Sequence, residues 1–107
     1  MNDLQARFIP QFIDLARGRI ARGIDVATKN DHQGVGLTAR ELHALAGEAG
    51  LLGLSAIVSL ARDSEDKARR MQASQSSEDA AALVAALREL GRVIELVEPT
   101  PDTKGPT

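Results

Sequence analysis

The sequence contains no cysteine, no tryptophan and no tyrosine. Without cysteine there is no disulfide framework, no thiolate zinc site and no thiol nucleophile. Phe8 and Phe12 are the only aromatic residues, so a hydrophobic core has to be built mainly from aliphatic side chains, and we expect both rings to lie in it. The 17 alanines and 13 leucines favour helices.

Neither an excess of charge nor a long apolar run is present. The 13 basic and 15 acidic residues give a net charge of −2, which argues against nucleic acid as a partner. No apolar run approaches the roughly 20 residues of a membrane span, and the N-terminus lacks a signal-peptide pattern. We therefore expect a soluble, cytoplasmic protein without a membrane partner. The length of 107 residues fits one domain, and the initial Met suggests a complete chain.

The spacing of the apolar residues predicts amphipathic helices throughout, since these residues recur at i, i+3, i+4 and i+7. The first helix ends near Thr28, and Pro10 either bends it or marks its start. A loop follows from Asn30 to Gly36. The second helix is then predicted to begin at Thr38, because Thr38 and Glu41 have the spacing of a capping box.

The later helix boundaries are predicted by small and polar residues. Gly50 and Gly53 allow the chain to reverse after the second helix, and the third helix ends in a polar run. Ser76 and Asp79 have the spacing of a cap for the fourth helix, which Pro99 stops.

Four amphipathic helices with short connections predict an all-α, antiparallel up-and-down four-helix bundle. We expect residues 1–98 to form this domain. Residues 99–107 contain three prolines and no large apolar residue, and we expect them to be a disordered C-terminal tail.

The second helix carries the most informative residue, His43, at the edge of the buried arc centred on Leu42. The four residues next to His43 on the helix surface are all small: Ala39, Ala46, Gly47 and Gly50. A glycine inside a helix costs about 1 kcal/mol relative to alanine, so the pattern requires an explanation. One explanation is that a partner approaches His43 closely. Close helix–helix packing inside the bundle is the other, and the sequence leaves both open.

A solitary exposed histidine is suited to few kinds of chemistry. No Ser or Cys nucleophile motif accompanies His43, which excludes a catalytic triad. His32 is the only other histidine, and no carboxylates stand at a metal-ligand spacing, so no metal site is predicted. Neutral imidazole is abundant near neutral pH and is itself a nucleophile, and a phosphoryl group is one cargo that it can hold.

The segment from His43 to Gly53 resembles the signature of histidine phosphotransfer (HPt) domains. That signature has a Leu two residues after the His, usually a Lys three after it, a Gly four after it, a small residue six after it and a Gly ten after it. The sequence matches at His43, Leu45, Gly47, Ala49 and Gly53. It departs at Ala46, where the lysine is absent. The resemblance covers most of the chain, including Phe8 to Leu15 as the family's first helix with its internal proline.

The resemblance implies a phosphorelay intermediate. Nε2 of His43 would accept a phosphoryl group from a histidine kinase or receiver domain and pass it to an aspartate of a response regulator. The partner would supply Mg²⁺ and most of the catalysis, so the chain would be a monomeric carrier without a cofactor, rather than an enzyme. Partners would dock around His43 on Ala39, Arg40, Ala46, Gly47, Gly50 and Leu51. Arg40 either supplies the charge of the missing lysine or is a solvated surface residue.

Two other functions stay open. The missing lysine favours an HPt-like adaptor that binds receivers without carrying phosphate. A dimerisation and phosphoacceptor domain of a sensor kinase would need an ATP-binding domain, for which the chain has no room.

Other polar residues have simpler explanations. We expect His32 to be an exposed loop residue, and capping and solvation to account for Glu41 and Glu48 in place of a catalytic carboxylate pair. The charged residues of the third helix are expected to form a solvated face: Arg62, Asp63, Glu65, Asp66, Lys67, Arg69 and Arg70.

Overall fold

The computed structural model describes residues 3–97, and side chains from Arg7 onward. This part of the chain forms four helices and no strand: α1 (Asp3–Thr28), α2 (Val35–Leu51), α3 (Ser55–Ser74) and α4 (Ser77–Glu95). Helices α1 and α3 each pack against α2 and α4. Because the connections are short, neighbouring helices run antiparallel. The predicted all-α four-helix bundle is confirmed, whereas Pro99 and the predicted tail lie outside the described residues.

The core between the four helices is almost entirely aliphatic. Its fully buried large side chains are Leu42, Leu45, Ile57, Met71, Leu83, Leu87, Leu90 and Ile94. Phe12 also lies in the core, as expected, with 4% of its surface exposed. Phe8 does not, because 43% of it is exposed, and the prediction that both rings are core residues is wrong for this one.

Helix α2 begins earlier than the sequence predicts. Val35, the first helical residue, is completely buried, and the chain before it closes onto Asp31. The Asp31 side chain accepts the backbone N–H of Gly34 at 2.9 Å, and its backbone oxygen accepts that of Val35 at 3.1 Å. Thr38 is buried inside the helix and caps nothing. Burial of Val35 extends the helix through Gly36, so the connection comprises residues 29–34 only.

The chain reverses between α2 and α3 over residues 52–54, as the glycines predict. Gly53 has φ 75°, a left-handed conformation that glycine adopts without a steric penalty. The N–H of Leu54 bonds the oxygen of Ala49 at 2.9 Å, and the N–H of Gly53 bonds that of Gly50 at 3.2 Å. These paired bonds satisfy the end of α2 and determine how far α3 is displaced along it.

Two further predictions concern α1 and α4. Ser76 accepts the N–H of Asp79 at 3.1 Å, which confirms the predicted cap of α4. Pro10 lies well inside α1 and therefore does not mark its start. Among these described helices, none has the length and apolar character needed to cross a membrane.

Candidate functional site

The solvent-exposed side of α2 presents four residues in steps of three and four: Arg40, His43, Gly47 and Leu51. We call them the His43 stripe. The side chain of His43 is 77% exposed, and Leu51 is 85% exposed. Residues at this spacing lie above one another on one helix face, so they form one continuous exposed surface. The predicted exposure of the histidine is therefore confirmed.

Two of the small residues next to His43 are turned inward. Ala39 is completely buried and Ala46 is 4% exposed, because both lie on the side of α2 that faces the core. A docking partner does not reach them, and their assignment as docking residues is wrong. Because position 46 is an alanine, the position of the usual lysine contributes no charge to the surface.

Gly47 faces open space. A Cβ atom at this position would meet no atom within 4 Å, other than its own helix backbone and its immediate neighbours. A Cβ atom at Gly50 would lie 3.8 Å from Cγ2 of Val58, an ordinary contact. Packing within this domain therefore does not require a glycine at position 47. Close helix–helix packing, one of the two explanations for the bare surface beside His43, therefore does not account for Gly47.

Helix α3 holds the imidazole ring of His43 through Glu65. Nδ1 of His43 lies 3.3 Å from Oε1 of Glu65, whose side chain is only 13% exposed. Arg69 donates from Nε and Nη2 to Oε2 of the same carboxylate, at 3.0 and 2.7 Å. A carboxylate only accepts hydrogen bonds, so Nδ1 of His43 carries the hydrogen. In the neutral ring, Nε2 is then the atom with the free lone pair.

The charge of Glu65 follows from its surroundings. Burial by itself raises the pKa of Glu65, but the hydrogen bonds donated by Arg69 and then by His43 outweigh burial, and the pKa lies below its ordinary value. The carboxylate is therefore ionised at neutral pH. An ionised acceptor fixed by Arg69 orients the ring of His43 while leaving its other nitrogen exposed.

The sequence prediction assigned Glu65 to a solvated face and missed its contact with His43. The signal that could have identified this contact is the register of α2 against α3, that is, how many residues separate His43 and Glu65 from the turn between the two helices. His43 lies eight residues before Leu51, the end of α2, and Glu65 lies ten residues after Ser55, the start of α3. With a rise of 1.5 Å per residue, the two residues are level to within about 3 Å.

Both glutamates of α2, Glu41 and Glu48, form ion pairs with arginines of α1. Oε2 of Glu41 lies 3.0 Å from Nη2 of Arg22, and Oε1 of Glu48 lies 2.7 Å from Nη1 of Arg19. The two glutamates therefore bind different arginines and do not form a pair with each other. Ion pairing, and neither capping nor solvation, explains them.

Two other candidates from the sequence are placed as follows. Arg40 is exposed and has no ion pair among the described residues. His32 lies in the connection before α2, more than two helical turns from His43 along the chain. It is half-buried there, and the expectation of a fully exposed loop residue is wrong.

An apolar groove adjoins the stripe at Leu51. It runs between α1 and α2, has a volume of about 240 Å³, and is lined by Phe8, Gln11, Phe12, Leu15, Glu48, Leu51 and Leu52. Phe8 and Leu15 remain 43% and 55% exposed. Exposed apolar side chains that cluster in this way are typical of interaction surfaces. The sequence pointed to Leu51 alone.

Within the described residues, fold and site together define a helical bundle that presents one strongly exposed imidazole, that of His43. The family model of the Hpt domain matches residues 8–96, and the chain belongs to the Hpt domain family. Searches of curated proteins and of solved structures gave no significant match. Membership of the family gives the chain a general role in phosphotransfer within two-component signalling.

Proposed function

We propose that the chain is a phosphorelay intermediate that carries a phosphoryl group on Nε2 of His43. The observation that supports this most strongly is the 3.3 Å contact between Nδ1 of His43 and Glu65, combined with the 77% exposure of the ring. Since Nδ1 donates to the carboxylate, the lone pair of Nε2 is free to attack phosphorus. The N–P bond forms as the P–O bond of the donor breaks, and the leaving oxygen keeps its electron pair.

The partners in this proposal are a histidine kinase or phosphorylated receiver domain as donor and a receiver aspartate as acceptor. A receiver domain docks over the His43 stripe and the apolar groove. The bare backbone at Gly47 and Gly50 lets the aspartate-bearing surface approach the ring, while Leu51 and Leu15 lose water on contact. The receiver brings the Mg²⁺ ion that neutralises charge on the phosphoryl group.

Arg40 is the cation that we assign to the phosphoryl group. Ala46 is buried and uncharged, and Arg69 already binds Glu65 through two hydrogen bonds. Arg40 lies on the exposed face one turn before His43, without an ion pair among the described residues. A guanidinium group binds phosphoryl oxygens well, because its N–H groups match their geometry.

The proposal is tested by incubating the purified protein with a receiver domain that carries a radiolabelled aspartyl phosphate. We expect acid-labile label on the wild-type protein and on a His32→Gln variant, and none on His43→Gln. His32→Gln is the matched control, because it makes the same substitution at the only other histidine. Full labelling of His43→Gln would overturn the assignment.

A second candidate function is an adaptor that binds receivers and carries no phosphate. The missing lysine favours it, since position 46 is an alanine and carries no charge to hold a phosphoryl group. The same experiment separates the two functions: an adaptor binds the receiver in a titration and stays unlabelled. A dimerisation domain of a sensor kinase is distinguished by gel filtration, since it would elute as a dimer.

A further inference from the structure

The group in contact with Nδ1 of His43 is a charged carboxylate whose side-chain conformation is restricted. Glu65 is 13% exposed, and Arg69 occupies its second oxygen with two hydrogen bonds. Its first oxygen therefore faces the imidazole in a fixed position. A carboxylate without a proton cannot donate, so the contact with Nδ1 persists only while Nδ1 carries a hydrogen.

This restriction has a chemical consequence once Nε2 is phosphorylated. A phosphorylated imidazole either keeps the Nδ1 proton and is an imidazolium, or loses it and presents a bare nitrogen. The bare nitrogen would leave two acceptors, Nδ1 and Oε1 of Glu65, facing each other at hydrogen-bond distance without a hydrogen between them. The carboxylate therefore favours the protonated ring.

We propose that Glu65 keeps a proton on Nδ1 of His43 in both the free and the phosphorylated state, so that the phosphoryl group enters and leaves without any proton transfer. The inference rests on the proposed function. On departure, the N–P bond breaks and its electron pair returns to Nε2, while the phosphorus is taken by an aspartate oxygen or by water. Because Nδ1 keeps its proton, the leaving group is neutral imidazole. Without that proton it would be an imidazolate anion, a much poorer leaving group.

The other charges near the ring do not replace this effect. Helix α1 directs Arg19 and Arg22 toward the opposite side of α2, where Glu48 and Glu41 bind them. The remaining charged residues of α2 and of the nearby part of α3 are exposed, or paired within α3: Arg40, Arg62, Asp63, Asp66, Lys67 and Arg69. Helix α4 does not pack against α2. Among the described residues, Glu65 is thus the carboxylate in contact with Nδ1.

Glu65→Gln is the substitution that tests this, since an amide can either accept from Nδ1 or donate to it. Wild type, Glu65→Gln and the control Asp66→Asn are phosphorylated with phosphoramidate, and loss of label is followed from acid to mildly alkaline pH. Asp66→Asn removes one negative charge from the next, exposed residue of the same helix. At mildly alkaline pH we expect Glu65→Gln to lose its label about fivefold more slowly than wild type, because a charged hydrogen bond becomes a neutral one. At acid pH, where solvent protonates Nδ1 in either variant, the rates should converge.

A second measurement does not depend on the rate. In the phosphorylated wild-type protein, the ¹⁵N resonance of Nδ1 should remain that of a protonated nitrogen up to a higher pH than in Glu65→Gln. Equal pH profiles of label loss, or a bare Nδ1 in the phosphorylated wild type at neutral pH, would overturn the inference. If His43 never takes the label, the proposed function itself fails, whereas a labelled protein with equal profiles contradicts only the role of Glu65.

Discussion

Gly47 lies one helical turn beyond His43 on the exposed face of α2, and both residues are exposed. A methyl group at Gly47 would meet no atom within 4 Å, other than its own helix backbone and its two chain neighbours. Glycine lowers the stability of a helix interior, so a contribution to folding stability does not explain why residue 47 is a glycine. Access of a partner to His43 is the explanation that fits the exposed stripe.

Gly47→Ala should therefore raise stability and lower activity together. We expect the free energy of unfolding to increase by up to about 1 kcal/mol, since the methyl group meets no other atom and alanine is the better helix former. Phosphotransfer from a receiver should slow, because that methyl group stands where the partner approaches. Urea unfolding and the initial rate of labelling measure the two effects.

Gly91→Ala is the matched control for that substitution. A Cβ at Gly91 in α4 meets Cγ2 of Ile20 at 3.8 Å, an ordinary contact, and α4 does not pack against α2. This variant should be at least as stable as wild type and should transfer phosphate at the wild-type rate. An unchanged transfer rate in Gly47→Ala would contradict the role given to the bare surface.

Leu51→Ser should weaken receiver binding without weakening the fold. Leu51 is 85% exposed, so its removal costs the folded domain little, while its burial under a partner contributes to affinity. We expect the dissociation constant for a receiver to rise about tenfold, the change produced by roughly 1.4 kcal/mol. Isothermal titration calorimetry with an unphosphorylated receiver measures it.

The comparison for Leu51 is Leu96→Ser. Leu96 is 67% exposed and follows α4, a helix that does not pack against α2. Its substitution should leave the affinity unchanged. Equal weakening by both substitutions would show a general loss of surface hydrophobicity and would remove Leu51 from the docking surface.

The contribution of Glu65 to the free energy of unfolding should decrease as the pH falls. Its pKa in the folded protein is lowered from the ordinary value of 4.5, since the hydrogen bonds from Arg69 and His43 outweigh the opposing effect of burial. The ionised carboxylate then stabilises the fold at pH values above the unfolded pKa, and this contribution is lost as the pH falls through the lower, folded pKa. Wild type should exceed Glu65→Gln in urea midpoint at about pH 6, and the difference should shrink toward about pH 3.

Asp66→Asn again provides the comparison, because Asp66 is exposed and has no ion pair among the described residues. A solvated, unpaired carboxylate on the surface contributes little to folding. The effect of this substitution on the urea midpoint should therefore stay nearly constant over the same pH range. A difference for Glu65→Gln that grows on acidification would show that the carboxylate is stabilised in its protonated form.

Apolar periodicity was sufficient to predict the four helices, because each helix buries one stripe of aliphatic side chains. The cap at Ser76 and the turn at Gly53 depend on neighbouring residues only and were equally accessible. The start of α2 was not, since the burial of Val35 by other helices outweighs the local cap signal at Thr38.

In the candidate site, too, the residues of one helix could be predicted from the sequence, whereas a contact between helices could not. The motif identified His43 and Gly47, which lie on one helix. A helical wheel centred on Leu42 predicts that Ala39 and Ala46 are exposed beside His43, whereas both are buried. Glu65 belongs to another helix, and its contact with His43 depends on the offset between α2 and α3, which sequence periodicity does not contain.

That offset limits how the chain tolerates insertions and deletions. Residues 52–54 have a closed set of backbone hydrogen bonds, so removal of one residue there would shift α3 by about 1.5 Å and rotate it by about 100° against α2. The rotation would turn Glu65 away from His43 although no side chain had been substituted. Residues 29–34 connect α1 to α2 and do not set the offset between α2 and α3. A reporter group or a fused domain inserted into this connection would therefore leave the distance between His43 and Glu65 unchanged.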